Sequence, residues 1–299
     1  MDKIKKQKGL RKFVQALTGL AVNGHLSGFI TGKIYQGPLK RFCVPGMNCY
    51  SCPGALGACP MGALQAFFGK RKSPGFPFYV LGYLMLLGVV LGRFICGWLC
   101  LFGLLQELLY KIPLPKIRVP EKADRWLRKL KYIMLAVFVV LLPIILRDEM
   151  GVSVPYFCKW ICPVGMAEGG IPLLILNKAM RPAAHFLYAW KLGILLALLL
   201  LSAVVHRPFC KYLCPLGAFY GLFHRFSFLR LRCDESACVR CGKCARGCKM
   251  QVDPARHPDS AECIRCGECV QVCPTRALSM NFKGRKPNIK LKRQEGEIK

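Results

Sequence analysis

Long apolar segments alternate with shorter polar connections along the 299-residue chain. Four of these segments approach the length of a membrane helix, approximately Phe13 to Ile34, Phe76 to Ile95, Leu130 to Leu146 and Phe186 to Val205. Because ~30 Å of hydrocarbon needs about 20 apolar residues in a helix, this pattern predicts four membrane-spanning helices. Gln15, Asn23 and His25 interrupt the first segment, so we expect their side chains to face protein or water.

Cysteines stand where several apolar segments end, in a motif that recurs along the chain. The stretches "GRFICGWLCLFG" (92–103), "VPYFCKWICPVG" (154–165) and "HRPFCKYLCPLGAFYG" (206–221) share a CxxxC pair, and "ACPMGAL" (58–64) is a partial copy. Side chains four residues apart share one face of a helix. The Pro and Gly after the second cysteine are typical of a new helix that begins there. The motif therefore predicts thiols at a helix N-terminus, whose dipole stabilises negative charge.

Two denser cysteine runs lie near the C-terminus, "CVRCGKCARGC" (238–248) and "CIRCGECVQVCP" (263–274). The CxxCxxCxxxC spacing is that of bacterial two-cluster ferredoxins, in which the fourth cysteine of each run binds the other cluster. It predicts one 4Fe-4S cluster on Cys238, Cys241, Cys244 and Cys273 and a second on Cys263, Cys266, Cys269 and Cys248. Zinc ribbons are the alternative, but a zinc ion has no use for a third close-set cysteine.

The CxxxC pairs supply further sets of four thiols. The first set is Cys96, Cys100, Cys210 and Cys214. The second set, chosen because "CPMG" and "CPVG" mirror each other, is Cys52, Cys59, Cys158 and Cys162. Cys43 and Cys49 stay unassigned, and either could replace Cys52. Because one cubane needs four thiolates, the sequence predicts one or two more clusters. Ordinary packing cysteines are the alternative, and we interpret Cys233 as a buried thiol of that kind.

Charge and composition place the chain in a membrane. It carries 45 Lys and Arg against 15 Asp and Glu, yet 54% of its residues are hydrophobic. This balance suits a membrane protein with charged cytoplasmic parts, and no aromatic and basic motif indicates a nucleic-acid partner. The positive-inside rule then predicts a protein of the prokaryotic cell membrane with both termini in the cytoplasm. In that topology the first set lies at the inner face and the second at the outer face.

The motifs resemble those of a known family. "GRFICGWLC", "RPFCKYLCPLGAFYG" and the tail "CVRCGKC…CIRCGECVQVCPTRAL" are similar to the polytopic membrane 4Fe-4S proteins, or polyferredoxins, that include the quinol dehydrogenase subunit of periplasmic nitrate reductase systems. The resemblance covers most of the chain from Arg93 onward, and it implies membrane electron transfer with a cytoplasmic ferredoxin domain. The second cysteine set departs from that subunit, which implies redox sites on the far side of the membrane.

The expected fold follows from these observations. We expect an all-α polytopic membrane domain over residues 1–229, with about four transmembrane helices and cysteine-bearing half-helices. A C-terminal α+β two-cluster ferredoxin domain is expected over residues 230–282, followed by a basic, disordered tail over residues 283–299.

The expected function is electron transfer between a cytoplasmic ferredoxin domain and the membrane or its outer face, as a component of an oxidoreductase system with no catalytic residue assigned. Its partners would be the lipid bilayer, a cytoplasmic redox protein and a second redox protein outside. One alternative is a subunit that oxidises quinol or reduces quinone, with quinone as a further cofactor. The other is an outward thiol-disulfide relay through Cys43 and Cys49, because disulfide exchange needs a reactive thiol and a nearby resolving thiol.

Overall fold

The computed structural model describes residues 2–68, 78–146, 154–183 and 185–282, which are mainly helical. The α-helices up to residue 145 are α1 Asp2–Val22, α2 Gly28–Thr31, α3 Pro60–Phe68, α4 Phe78–Leu91, α5 Phe94–Trp98, α6 Leu101–Leu109, α7 Glu121–Ile133 and α8 Leu142–Ile145. The remaining α-helices are α9 Tyr156–Trp160, α10 Pro163–Gly165, α11 Ile171–Leu176, α12 Phe186–Val204, α13 Pro215–Phe223, α14 Lys243–Gly247 and α15 Glu268–Val272. Three π-helical turns cover Met134–Leu141, Met166–Gly170 and Phe209–Leu213, and two 3-10 helices cover Pro38–Arg41 and Lys178–Ala183.

The prediction of a four-span polytopic fold was wrong. Among the described residues one helix, α12, is long and apolar enough to cross a membrane, judged by length and composition. α1 has 21 residues, but it begins with a lysine-rich stretch and ends at Val22, before a turn at Asn23. α4 has only 14 residues and is followed by Gly92, whose φ of +55° lies in the left-handed region that commonly ends helices.

The predicted third span is the apolar second half of a longer helix, whose first half, α7, is rich in charged residues. α7, with the sequence EKADRWLRKLKYI, continues through the eight-residue π-helical turn Met134–Leu141 into the four-residue α8. The apolar part is therefore divided between two helix types, and neither is long enough to span a bilayer. Two predictions fall outside the described residues: the start of the second span at Phe76 and the basic C-terminal segment 283–299.

The two strands found among the described residues lie in the C-terminal part of the chain. β1 Leu229–Cys233 pairs antiparallel with β2 Leu278–Phe282, with Leu229 opposite Phe282 and Cys233 opposite Leu278. α14 and α15 lie between these strands in the chain and pack against each other. The cysteine runs therefore lie between the two strands in the chain and include the two short helices.

A buried ion cluster joins this C-terminal part to the helical body. Glu262 accepts a hydrogen bond from Nη1 of Arg93 at 2.8 Å and lies 2.5 Å from Nζ of Lys131. Arg93 and Lys131 are fully buried. Removing one partner of a buried pair typically costs about 3–5 kcal/mol, because the other charge is left without compensation. The part of the chain that carries the two cysteine runs, called the tail from here on, is thus fixed against the helical body in one orientation.

Candidate functional site

The first tail group, which consists of Cys238, Cys241, Cys244 and Cys273, lines one cavity at the protein surface. Cys233, at the end of β1, lines the same cavity, and its side chain forms a hydrogen bond with Cys238. Partial burial and the neighbouring thiols raise the pKa of Cys233 to about 11. The structure therefore places Cys233 beside the group, half-buried, where the sequence indicated an ordinary core thiol.

The second tail group, which consists of Cys248, Cys263, Cys266 and Cys269, lines a neighbouring cavity. Cys248 comes from the first run and Cys273 from the second, so the two tail groups exchange their fourth cysteines. Glu107 and His206 of the helical body also line this cavity. Burial raises the pKa of Cys266 to about 12, so a thiolate at this position needs a compensating positive charge such as that of iron.

The middle group, which consists of Cys96, Cys100, Cys210 and Cys214, lies buried around one small cavity. Cys96 lies in α5 and Cys210 in a π-helical turn, while Cys100 and Cys214 stand at the N-caps of α6 and α13. Sγ of Cys214 accepts a hydrogen bond from the backbone N–H of Gly217 at 3.3 Å. Two helix N-termini therefore face the thiols, as the Pro–Gly pattern indicated.

The far group brings Cys59, Cys158 and Cys162 together with Cys49. Sγ of Cys162 accepts a hydrogen bond from the backbone N–H of Gly165 at 3.4 Å. A Cβ atom added at Gly165 would lie 3.8 Å from Sγ of Cys162 and 3.9 Å from Sγ of Cys49. The two sulfurs therefore lie close to the same glycine.

Cys52, which the sequence assigned to this group, is buried but does not line its cavity. The backbone N–H of Cys52 donates to the carbonyl of Cys49 at 3.1 Å, and this turn separates the two side chains. Glu168 accepts a hydrogen bond from the N–H of Cys49 at 2.7 Å and so fixes the loop with Cys49 at the cavity. Cys43 contributes to the cavity wall.

The middle and far groups are built on a shared plan that includes a glutamine. Nε2 of Gln106 donates to Sγ of Cys210 at 3.2 Å, and its Oε1 accepts from the N–H of Phe209 at 3.1 Å. At the far group, Nε2 of Gln65 donates to Sγ of Cys158 at 3.3 Å, and its Oε1 accepts from Phe157 at 3.0 Å.

The shared plan reflects an internal repeat. "CPMGALQ" (59–65) and "CLFGLLQ" (100–106) both place a glutamine six residues after a cysteine, and "FCKWICPVG" and "FCKYLCPLG" supply the paired segments. Neither glutamine was recognised from the sequence. The signal was present, but it becomes meaningful only when the partial motif (58–64) is aligned with the first full motif (92–103) and the residues after it.

A short backbone segment separates the middle group from the far group. Met47 lines both cavities. Burial raises the pKa of Cys100 and of Cys59, and the backbone N–H groups of Met47 and of the next residue, Asn48, partly offset this effect at Cys100 and Cys59 respectively. Adjacent peptide groups therefore lie near one thiol of each group.

A second close approach links the middle group to the second tail group. Gly97, next to Cys96, lies against the carbonyl of Ile264, next to Cys263; a Cβ atom at Gly97 would be only 2.3 Å from that oxygen. No residue other than glycine can be accommodated there without displacing the tail. This close backbone contact holds the two groups next to each other.

Two fully buried guanidinium groups flank the middle group. Nη2 of Arg93 donates to the carbonyl of Cys210 at 2.9 Å, and Nη1 of Arg207 donates to the carbonyl of Cys96 at 2.5 Å. Four thiolates around an iron-sulfur core carry net negative charge, which is costly in an apolar interior unless cations are close. The arginines supply those cations.

The carboxylate partners of these arginines remain ionised. Burial alone would raise the pKa of Glu107 and of Glu262, but Arg207 and Arg93 respectively lower both below the usual range. Arg11 also binds Glu107 through two hydrogen bonds of 2.8 Å. Arg11 also lies 3.6 Å from Glu268, so this network contains two guanidinium groups and two carboxylates.

The four groups suit 4Fe-4S clusters. Each offers at least four thiols around a cavity, and all 19 cysteines are free of disulfide bonds. Within the described residues, no three or more His, Cys, Asp or Glu side chains converge closely enough for a single metal ion. Ligands of a cubane bind separate corners of a multi-iron core, so they surround a cavity instead of converging on one point.

Comparisons with known proteins agree with this chemistry. A family model described as "4Fe-4S binding domain" matches residues 57–77, 74–120, 150–171 and 188–232. A second family model with the same description matches residues 257–279. These segments include most cysteines of the middle and far groups and the second cysteine run of the tail.

Several proteins are similar in sequence. An uncharacterized protein of Methanocaldococcus jannaschii is 32% identical over 227 residues, which cover 75% of this chain and 86% of that protein. A second uncharacterized protein of the same organism is 33% identical over 200 residues, or 66% and 68% of the two chains. The methylamine utilization ferredoxin-type protein MauN of Paracoccus denitrificans is 36% identical over 91 residues, or 30% and 28%. No solved structure matches the chain.

Proposed function

The chain belongs to the family of 4Fe-4S-binding proteins that includes its two Methanocaldococcus jannaschii relatives, and from this premise we propose that its four cysteine groups form one electron-transfer chain. The prediction of an iron-sulfur electron-transfer protein is confirmed by the family models and by the ferredoxin-type relative. The proposal adds the number of sites, their ligands and their order. In that order, the first tail group is followed by the second tail group, the middle group and the far group.

The observation that carries this proposal is the continuity of contacts between groups. The two tail groups exchange their fourth cysteines, Gly97 contacts Ile264 between the second tail group and the middle group, and Met47 and Asn48 link the middle and far groups. Electron tunnelling weakens steeply with distance, so an effective chain needs neighbouring sites in close succession. The fold provides that succession at each of the three junctions.

The protein's own residues would set the conditions for transfer. A 4Fe-4S cluster, when bound, exchanges one electron at a potential set by charge, hydrogen bonds and exposure. Arg93 and Arg207 compensate negative charge at the middle group, and buried apolar side chains exclude water. The ligands proposed for the far group are Cys49, Cys59, Cys158 and Cys162.

We further propose a membrane-associated protein, anchored through α12. The N-terminal helix and the tail lie on one side of the molecule, because Lys8 is 3.5 Å from Glu268 and Gln7 is close to Gly267. Reduced thiols are typical of the cytoplasm. The tail is therefore assigned to the cytoplasmic side, where a soluble redox protein can reach it, and a second redox partner is assigned to the far group.

A quinone-reactive subunit is the second candidate, favoured by one observation. The cavity that the far-group cysteines line has a volume of about 680 Å³, and its walls are mainly apolar, with Tyr79, Val80 and Leu173 among them. This volume is within the ~300–1,000 Å³ range of small-molecule sites. A quinone analogue should then slow electron transfer at the far group. Unchanged rates with the analogue would remove this candidate, and with it the role of the resembling quinol dehydrogenase subunit.

The thiol-disulfide relay is less well supported. It paired Cys43 with Cys49, but Cys49 lies among the far-group cysteines, next to Cys59 and Cys158. Thiol trapping in intact membranes separates the two roles. A cluster ligand should resist alkylation until iron is removed, whereas a relay thiol should react while iron is bound.

The direct test of the proposed function is a cluster count. We expect four 4Fe-4S clusters per purified chain, measured by iron and sulfide analysis and by EPR after reduction. Fewer than three clusters would contradict the assignment of the middle and far groups, since the two tail clusters alone account for two.

Gln106 and Gln65 offer a matched pair of variants. A hydrogen bond to a cysteine sulfur stabilises the more negative, reduced cluster and so raises its reduction potential. Gln106→Leu should lower the potential of the middle cluster alone, and Gln65→Leu that of the far cluster alone. Loss of one charge-assisted hydrogen bond is expected to change the reduced fraction about tenfold, or about 59 mV for one electron. Potentiometric EPR titration measures both shifts, and equal shifts of all clusters in either variant would contradict the assignment.

A further inference from the structure

The two cysteine runs of the tail are repeats of each other in sequence and in backbone. "CVRCGKCARGC" and "CIRCGECVQVC" align without gaps, which makes Val239 equivalent to Ile264 and Arg240 equivalent to Arg265. Both arginines have a φ of +50°, an unusual value for a side chain other than glycine. The same residue types are therefore presented by the same turn at both tail groups.

The second copy of this turn is docked on the helical body. Ile264 and Arg265 are each only 2% exposed. The guanidinium of Arg265 donates to the carbonyl of Leu91 at 2.9 Å and to Oγ of Ser227 at 2.6 Å. The indole N–H of Trp98 donates to the carbonyl of Arg265 at 3.1 Å. These hydrogen bonds connect the helical body to the residue next to the cysteines of the second tail group.

The first copy of the turn faces solvent. Val239 is 64% exposed, and Arg240 is exposed beside it. Cys241 is the one exposed residue among the cysteines, all of which lie in the described part of the chain. The first tail group thus presents to solvent the surface that its counterpart uses for docking.

The surroundings of this exposed turn are strongly basic. Exposed cations around it are Arg232, Arg240, Lys243, Arg246 and Arg276. In the part of the chain that the structure describes, none of these five has a carboxylate within 4 Å. Arg256 is the exception on this face, since it lies 3.7 Å from Asp253. Glu235 also lines the cavity of the first tail group, so the face carries a net excess of positive charge around a small apolar centre.

We propose that the exposed turn at Val239 and Arg240 is the docking surface for an acidic soluble redox protein. This inference rests on the proposed function, and it adds the position and the chemistry of the partner. The partner would cover Val239 with an apolar contact and would engage Arg240 with a carboxylate or carbonyl, as the body engages Arg265. Its acidic rim would face the surrounding cations, which would steer the encounter.

The charge-reversal variant Arg240→Glu/Lys243→Glu tests the surface. Flavodoxin, reduced beforehand, serves as the acidic redox protein, and stopped-flow absorbance follows electron transfer to the purified holoprotein. We expect at least a tenfold lower second-order rate constant for the variant at low salt, and a wild-type rate that falls as salt increases. The control is Lys122→Glu/Arg125→Glu, which reverses two exposed charges on α7 and should leave the rate unchanged.

Four further results decide the interpretation. Reduced methyl viologen should reduce the variant at the wild-type rate, which shows that the tail clusters are intact. Loss of the tail clusters from the wild-type protein would instead contradict the proposed function itself. Intact clusters with an unchanged flavodoxin rate would overturn the docking surface. If the variant keeps its clusters and its flavodoxin rate but no longer binds phosphatidylglycerol vesicles, the basic face is a lipid contact. That result would also overturn the proposal.

Discussion

Cys214→Ser removes one cluster from the protein, leaves both tail clusters in place and stops electron transfer from the tail to the far group. The reason is that Cys214 shares one buried cavity with Cys96, Cys100 and Cys210. Loss of one of four ligands exposes the iron and leaves three buried thiols with raised pKa values. We expect loss of roughly a quarter of the bound iron and of one EPR signal.

Cys96→Ser should have the same result as Cys214→Ser, although the two residues are more than 100 positions apart in the sequence. The double variant should be no worse than either single variant, because all three lack the same centre. Cys43→Ser is the matched control and should keep the middle cluster, since Cys43 is also buried but lines the far-group cavity and not that of the middle group. If the two single variants abolish different signals, or if their losses add, the middle group is not one site.

The cysteine sets differ in how far the sequence alone could define them. The tail ligands lie in two regular runs, so spacing is sufficient to group them. The middle group could be predicted because two full CxxxC motifs supply four thiols. The far group has one full motif, and the choice between Cys49 and Cys52 depends on a turn closed by a hydrogen bond to Cys49 and on Glu168, which is more than 100 residues away in the sequence.

The helix lengths could not be predicted from hydropathy alone. Apolar composition was correctly recognised in α4 and in the π-helical turn after α7, but the lengths of these elements are decided by local backbone features. Gly92 adopts a positive φ at the end of α4, and the π-helical turn Met134–Leu141 interrupts regular α-helix. Neither feature changes the average hydropathy of its segment. Four apolar segments therefore yielded one helix of spanning length in the described residues.

Long-range polar contacts were also not predicted from the sequence. Gln65 and Gln106 belong to a repeat that a single motif does not reveal, and Glu262 follows no short motif, yet each is buried and meets its partner from a distant segment. Arg265 stands between two cysteines of a run, and its position in the sequence indicates no structural role. Its role in docking appears only when the tail is placed against α4 and the turn before β1. Charge counts describe the whole surface but do not identify which cations are buried.

Cys49→Ser and Cys52→Ser form the sharpest test of the far group. The two cysteines are three residues apart in one loop, and the same substitution is made at both. Cys49→Ser should remove the far cluster, because its sulfur lies with those of Cys158 and Cys162 around the cavity. Cys52→Ser should keep that cluster, because Cys52 is buried outside the cavity wall, next to Lys40.

Iron content and EPR of the two purified proteins measure the difference. We expect roughly a quarter of the iron to be lost in Cys49→Ser and none in Cys52→Ser. The middle and tail signals should persist in both, since Met47 contacts the middle group through its backbone and does not depend on either side chain. The opposite pattern, with the far cluster lost only in Cys52→Ser, would restore the ligand set based on sequence and would show that the loop closed by Glu168 does not hold Cys49 at the cluster.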